Sequence, residues 1–120
     1  MTILIIDDDP SIRRLAAAFL SNKGGMTVLE ADSGPAGVAI AERERPDAIL
    51  LDAVMPEMDG PATFAQLRQR PACAAIPVIF LTAATHGDTL EQLMTLGARG
   101  LLHKPFKPAS LPDQIRALLA

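Results

Sequence analysis

Ala48-Ile49-Leu50-Leu51 is a short run, apolar at every position, that ends abruptly in the carboxylate of Asp52. A strand of that kind must be covered on both faces, as the middle strands of a parallel sheet are, whereas a half-exposed antiparallel strand would alternate. The run therefore predicts a central third strand with helices on either side and Asp52 at its carboxyl end.

On either side of this run, β-branched or leucine-rich stretches alternate with segments of helical period, the pattern of βα units. Towards the N-terminus, Thr2 to Ile6 reads as the first strand. A helix follows, carrying Ile12, Leu15, Ala16, Phe19 and Leu20 on one face and stopped by Gly24 and Gly25. Thr27 to Glu30 reads as the second strand and Pro35 to Arg43 as the second helix, with Pro46 marking the return to the sheet. Towards the C-terminus, a helix from Pro61 to Arg70 turns Phe64 and Leu67 inward, and Pro77 opens a fourth strand, Val78 to Leu81, ended by Thr82. A fourth helix, Thr89 to Leu96, closes at Gly97; Gly100 to His103 form the fifth strand, and Leu111, Ile115, Leu118 and Leu119 mark the last helix. The expectation is an α/β protein of five βα units, with residues 1–120 forming one domain.

The chain has 120 residues, 49% of them hydrophobic and 21% charged, a balance that suits a packed globule and opposes disorder. A net charge of −3 gives no basic field for a nucleic-acid backbone, so direct DNA binding is not expected. No apolar run approaches the roughly 20 residues that span a bilayer, and the first residues do not read as a signal peptide. The expected location is cytoplasmic, without a membrane span. Cys73 is the single cysteine, which excludes an internal disulfide.

Ligands of open α/β sheets bind beyond the carboxyl ends of the strands. Those ends carry Asp7, Asp8 and Asp9 after the first strand, Asp52 after the third, Thr82 after the fourth and Lys104 after the fifth. Mg²⁺ takes one or two carboxylates together with water and phosphate oxygens, which the acidic group supplies. A further carboxylate can then attack phosphorus while cation, ammonium and hydroxyl neutralise the transferring group. Asp52, alone at the end of the most apolar strand, is the candidate nucleophile.

Taken singly, each residue has a simpler explanation. Asp9 before Pro10 reads as a helix cap; Asp7 and Asp8 read as loop carboxylates, Thr82 as a strand residue and Lys104 as a surface charge. Their conjunction at four strand ends that would line one crevice is what favours phosphoryl transfer. His86 and His103 have no partners at metal-ligand spacing, and no glycine-rich nucleotide loop is present.

The strings LIIDDDP, ILLDAVMPEMDG, PVIFLTA and GARGLLHKPF, in this order and spacing, resemble the receiver domain of bacterial response regulators across essentially the whole chain. The resemblance implies a flavodoxin-like three-layer sandwich with strand order 2-1-3-4-5. It also implies that Asp52 accepts a phosphoryl group, from a sensor histidine kinase or a histidine phosphotransfer protein. Asp8 would be a direct Mg²⁺ ligand, Asp7 would act at the metal largely through water, and the Val54 carbonyl would be a further ligand. Thr82 and Lys104 would contact phosphoryl oxygens, and the Lys104-Pro105 bond would be cis. Output would pass to a protein target through the face of the fourth helix, fifth strand and fifth helix, from a monomer or a phosphorylation-dependent dimer. Apart from its own phosphorylation and dephosphorylation, the chain would not be an enzyme.

Three departures bear on this. Leu101 stands three residues before Lys104, where the family usually places an aromatic or histidine that moves with the threonine, so any such coupling would have to run through leucine repacking in its own way. Val54 and Ala84 would flank the path of the water that hydrolyses the phosphoaspartate, and neither offers a hydrogen bond. Val54 also occupies the position where a haloacid-dehalogenase phosphatase needs a second aspartate, which opposes that rival. A flavin-binding module is opposed by the absence of Trp and Tyr, and a degenerate receiver by the complete set of site residues.

Overall fold

The computed structural model describes residues 1–83 and 87–120; Ala84 and His86 lie outside them. Five parallel strands, β1 (Thr2–Ile6), β2 (Thr27–Ala31), β3 (Ala48–Asp52), β4 (Val78–Thr82) and β5 (Gly100–His103), form one sheet in the order 2-1-3-4-5. Between and after them run α1 (Pro10–Asn22), α2 (Gly34–Glu44), α3 (Gly60–Gln69), α4 (Gly87–Thr95) and α5 (Leu111–Leu119). The fold is thus the expected α/β flavodoxin-like sandwich.

All five residues of β3 are buried, as are all five of β4. Successive side chains of a strand face opposite sides, so each central strand feeds two cores. Leu4, Ile6, Ile49, Leu51 and Phe80 pack with Val38 of α2, Phe64 and Leu67 of α3 and Leu93 of α4. Ile3, Ile5, Leu50, Ile79 and Leu81 pack on the other face with Ala16 and Leu20 of α1 and Leu111 and Ile115 of α5. Helices α2 to α4 therefore cover one face, and α1 with α5 the other.

Capping chemistry fixes where three helices begin. Asp9 accepts hydrogen bonds from the amides of Ser11 and Ile12, Ser33 from Ala36, and Asp59 from Ala62, each with a proline in the first helical turn. Asp9 is the cap its sequence suggests. Helices α2 and α3 start one residue before Pro35 and Pro61, because the caps are Ser33 and Asp59. Helix α4 starts two residues before Thr89, and a 3₁₀ turn, Pro108–Ser110, leads into α5.

Leu15 departs from its expected inward place and is 44% exposed: the buried line of α1 is Ala16 and Leu20, and Leu15 lies at its edge. Cys73 is fully buried and His103 exposed. Arg68 stacks its guanidinium 4.4 Å from the Phe64 ring centre and donates to the Ile76 carbonyl at 3.0 Å, tying α3 to the approach of β4. No helix of the described residues is long and apolar enough to cross a membrane.

Candidate functional site

The register of the sheet brings the chemistry together. β3 lies between β1 and β4, and β5 follows β4, so the ends of β1, β3, β4 and β5 share one edge. Asp52 pairs with Leu81 across the ladder, the Ala53 amide donates to the Leu81 carbonyl at 3.0 Å, and the Lys104 amide donates to the Thr82 carbonyl at 2.8 Å. Lys104, followed by a cis bond to Pro105, turns its side chain back over this edge.

Its Nζ stands 3.2 Å from Asp52 Oδ1 and 3.2 Å from Asp7 Oδ2. One ammonium thus bridges two buried carboxylates, Asp7 at 0% and Asp52 at 5% exposure. Asp8, exposed, completes a group in which one oxygen from each of Asp7, Asp8 and Asp52 lies within 4.8 Å of the others. Thr82 is buried at the end of β4, beside this group in the sheet. Of the residues singled out in the sequence, Lys104 therefore contacts Asp7 and Asp52 directly, and Asp8 stands within 4.8 Å of both carboxylates. Thr82 sits on the neighbouring strand end, and Val54, which follows β3, is 76% exposed. Leu101 is half-buried against the core under α2 to α4.

Two backbone amides and two further residues shape the site. The Val54 amide donates to Asp52 Oδ1 at 3.3 Å, and the Asp9 amide to Asp7 Oδ1 at 2.9 Å, fixing how both carboxylates point. Arg13 of α1 donates from Nη1 to the Asp7 carbonyl at 2.9 Å and pairs through Nε with Glu30 at 3.1 Å. Gly60 lies so close to the β3 end that a Cβ there would stand 2.7 Å from the Ala53 Cα and the Asp52 carbonyl oxygen. The sequence offered no signal for either role.

Gly60→Ala should therefore push the β3–α3 turn away from Asp52, because the obstructing atoms are backbone. We expect a loss of about 1–3 kcal/mol, the usual range for overpacking, read as a lower urea midpoint with an unchanged slope. A midpoint equal to wild type would mean that the turn yields freely.

The electrostatics are those of a strained acidic seat. Burial pushes the Asp52 carboxyl up to about 6, with the Asp7 charge adding to the rise and Lys104 and the Val54 amide opposing it. Burial also works against the Lys104 charge, but Asp7 and Asp52 outweigh it and hold the ammonium above its ordinary value. Asp7 Oδ2 meets Lys104 only as an ion pair, and among the described residues it is a buried oxygen without a hydrogen-bond donor. An all-oxygen group with an under-satisfied buried carboxylate suits a hard divalent cation that keeps part of its water shell. Beside it, a groove of about 880 Å³ runs from Val54 and Thr82 to Leu93 and Leu96, leaving the site bordered by open space.

Comparison with known proteins agrees with this arrangement. The family model of the response regulator receiver domain matches residues 3–116. Protein PilH of Pseudomonas aeruginosa is 39% identical over 118 residues, covering 98% of this chain and 97% of PilH. The DNA-binding response regulator MtrA of Mycolicibacterium smegmatis is 38% identical over 98% of this chain, which spans 50% of MtrA. The solved structure of chemotaxis protein CheY4 of Vibrio cholerae superposes with a TM-score of 0.90 at 30% identity, covering 98% of this chain and 97% of CheY4. A sheet in the order 2-1-3-4-5 with an aspartate-lysine group at its carboxyl edge, matched nearly end to end by that model, makes this chain a member of the response regulator receiver domain family.

Proposed function

We infer that the chain is a phosphorylation-activated signalling switch whose phosphoacceptor is Asp52. The observation that carries this reading is the bridge from Lys104 to both Asp7 and Asp52 at 3.2 Å, with Asp8 at hand, on the edge where the sheet ends. The donor is a phosphohistidine of a sensor histidine kinase or histidine phosphotransfer protein. A carboxylate oxygen of Asp52 attacks phosphorus; the O–P bond forms as the N–P bond breaks, and the departing imidazole nitrogen keeps the electron pair and takes up a proton. Lys104 pairs with one phosphoryl oxygen, and the Thr82 hydroxyl binds another.

Asp7, Asp8 and the Val54 carbonyl, with Asp52, would hold Mg²⁺, which when bound offsets the charge of the carboxylates and the phosphoryl oxygens. Output passes to a downstream protein through the α4-β5-α5 face, with Leu101 repacking in place of an aromatic switch residue; this chain makes no direct DNA contact. The test is site mapping: after incubation with acetyl phosphate and Mg²⁺, borohydride reduction should convert the residue at 52 to homoserine. Conversion at another aspartate instead would overturn the assignment.

Two expected results follow from the same reading. Millimolar Mg²⁺ should raise the thermal midpoint of the wild type, since a ligand of the folded state alone must stabilise it. An equal rise in Asp8→Asn would remove that residue from the metal site. The phosphoaspartate should also be long-lived, because Val54 cannot orient an attacking water. Val54→Asn should speed its decay after removal of the donor, and decay as fast in wild type as in the variant would refute this.

A further inference from the structure

Asp8 reaches the acidic group from the exposed turn after β1, and that turn is clamped from an unexpected side. Beyond the last β1–β2 pair, Ile6 with Ala31, the Asp7 amide still donates to the Ala31 carbonyl at 3.1 Å. The Asp7 carbonyl accepts from Arg13 Nη1 at 2.9 Å. The guanidinium is itself fixed, since its Nε pairs with Glu30 Oε1 of β2 at 3.1 Å and its side chain is only 13% exposed. Asp7 is thus held by β2 through its amide and by α1 through its carbonyl, and that carbonyl belongs to the peptide joining it to Asp8.

We propose that Arg13 is a positioning residue for the divalent-cation seat: braced by Glu30, it fixes the Asp7-Asp8 peptide so that both carboxylates are aimed before a cation arrives. This rests on the reading of Asp7 and Asp8 as that seat. A planar fork suits the task, because two of its N–H groups act at a fixed angle on two acceptors, which an ammonium on a flexible stem cannot reproduce. Orienting contacts behind metal ligands commonly govern affinity without touching the ion.

The sign of the effect separates positioning from charge. As a mere positive charge near the seat, Arg13 would repel a cation, and Arg13→Met would bind Mg²⁺ more tightly. As a positioning residue it does the reverse. Titration calorimetry with MgCl₂ alone, well below each variant's unfolding midpoint, should give a Kd raised about tenfold in Arg13→Met, the low end for lost orienting contacts. Arg13→Lys, which keeps the charge and loses the fork, should move in the same direction. Saturating Mg²⁺ should restore the phosphorylation rate with acetyl phosphate in both.

A Kd that is unchanged or lower in Arg13→Met, or unchanged in Arg13→Lys, would overturn the proposal, even with a lowered unfolding midpoint. Should the methionine variant fail to fold, Arg13→Lys decides alone, since no change of charge can explain its result. Asp8→Asn is measured in parallel. If it leaves Mg²⁺ affinity intact, the seat itself is wrong and the proposal falls with it, whereas weakened Asp8→Asn beside unaltered Arg13 variants rejects the positioning role only.

Discussion

Lys104→Met should lower the stability of the cation-free protein at pH 7.5 by about 3 kcal/mol, the low end for removing one partner of a buried ion pair. The Lys104 ammonium is the shared counter-ion of Asp7 and Asp52, and its side chain is 17% exposed, so water screens part of the loss. Without it, two buried carboxylates face each other, and the protein relieves this by keeping a proton on Asp52 or by taking up a cation. The deficit should therefore shrink at pH 5 and with millimolar Mg²⁺. Acyl phosphate formation should slow by about a hundredfold, as when one preorganised charge is withdrawn from a transition state. Urea unfolding at the two pH values, with and without Mg²⁺, checks the first part. Equal midpoints for variant and wild type in every condition would mean that Lys104 offsets no repulsion.

Asp52→Asn should act in the opposite direction and stabilise the cation-free fold. Asp52 titrates near 6 when folded, against an ordinary value of 3.8. Between those values the unfolded chain has already lost the proton that the folded chain still holds, so stability falls as pH rises through this window. By pH 7.5 the ionised carboxylate has removed roughly 2 kcal/mol, allowing for partial solvation of the site. The asparagine variant avoids that loss. Its advantage over wild type should be full above pH 7, shrink as pH falls through 6, and vanish below about 4, where both forms are neutral at this position. Millimolar Mg²⁺ should narrow the gap at pH 7.5 by stabilising wild type more. An advantage that is constant from pH 4 to 8 would exclude ionisation of Asp52 as its cause.

The legible parts of this fold were those set by period and by chain punctuation. The unbroken apolar run at residues 48–51 specified a doubly covered central strand, and Asp9-Pro10 specified a cap. Strand ends could therefore be located closely enough to predict which side chains would meet, and Asp7, Asp8, Asp52 and Lys104 do meet. The strand order came from family resemblance, since period alone does not say which strands are neighbours. Leu15 lies outside the buried line of α1 because helical spacing marks an apolar stripe without saying where the sheet's coverage ends.

Arg13 and Gly60 were invisible for a related reason. Each acts on backbone atoms brought near by the fold, the Asp7 carbonyl for one and the Asp52 and Ala53 main chain for the other. Backbone atoms are the same at every position and leave no mark in a sequence. The strain on Asp52 likewise depends on how deeply the strand end is buried and how near Asp7 lies, quantities that exist only after packing.

Transfer of a phosphoryl group to Asp52 can be read from intact mass after incubation with acetyl phosphate and Mg²⁺. Wild type should gain the mass of one phosphoryl group, lose it on incubation with alkaline hydroxylamine, and show no gain when Mg²⁺ is chelated; Asp52→Asn, folded, should show no gain under any condition. A gain of equal size in Asp52→Asn, or none in wild type with Mg²⁺ and donor in excess, would contradict the account.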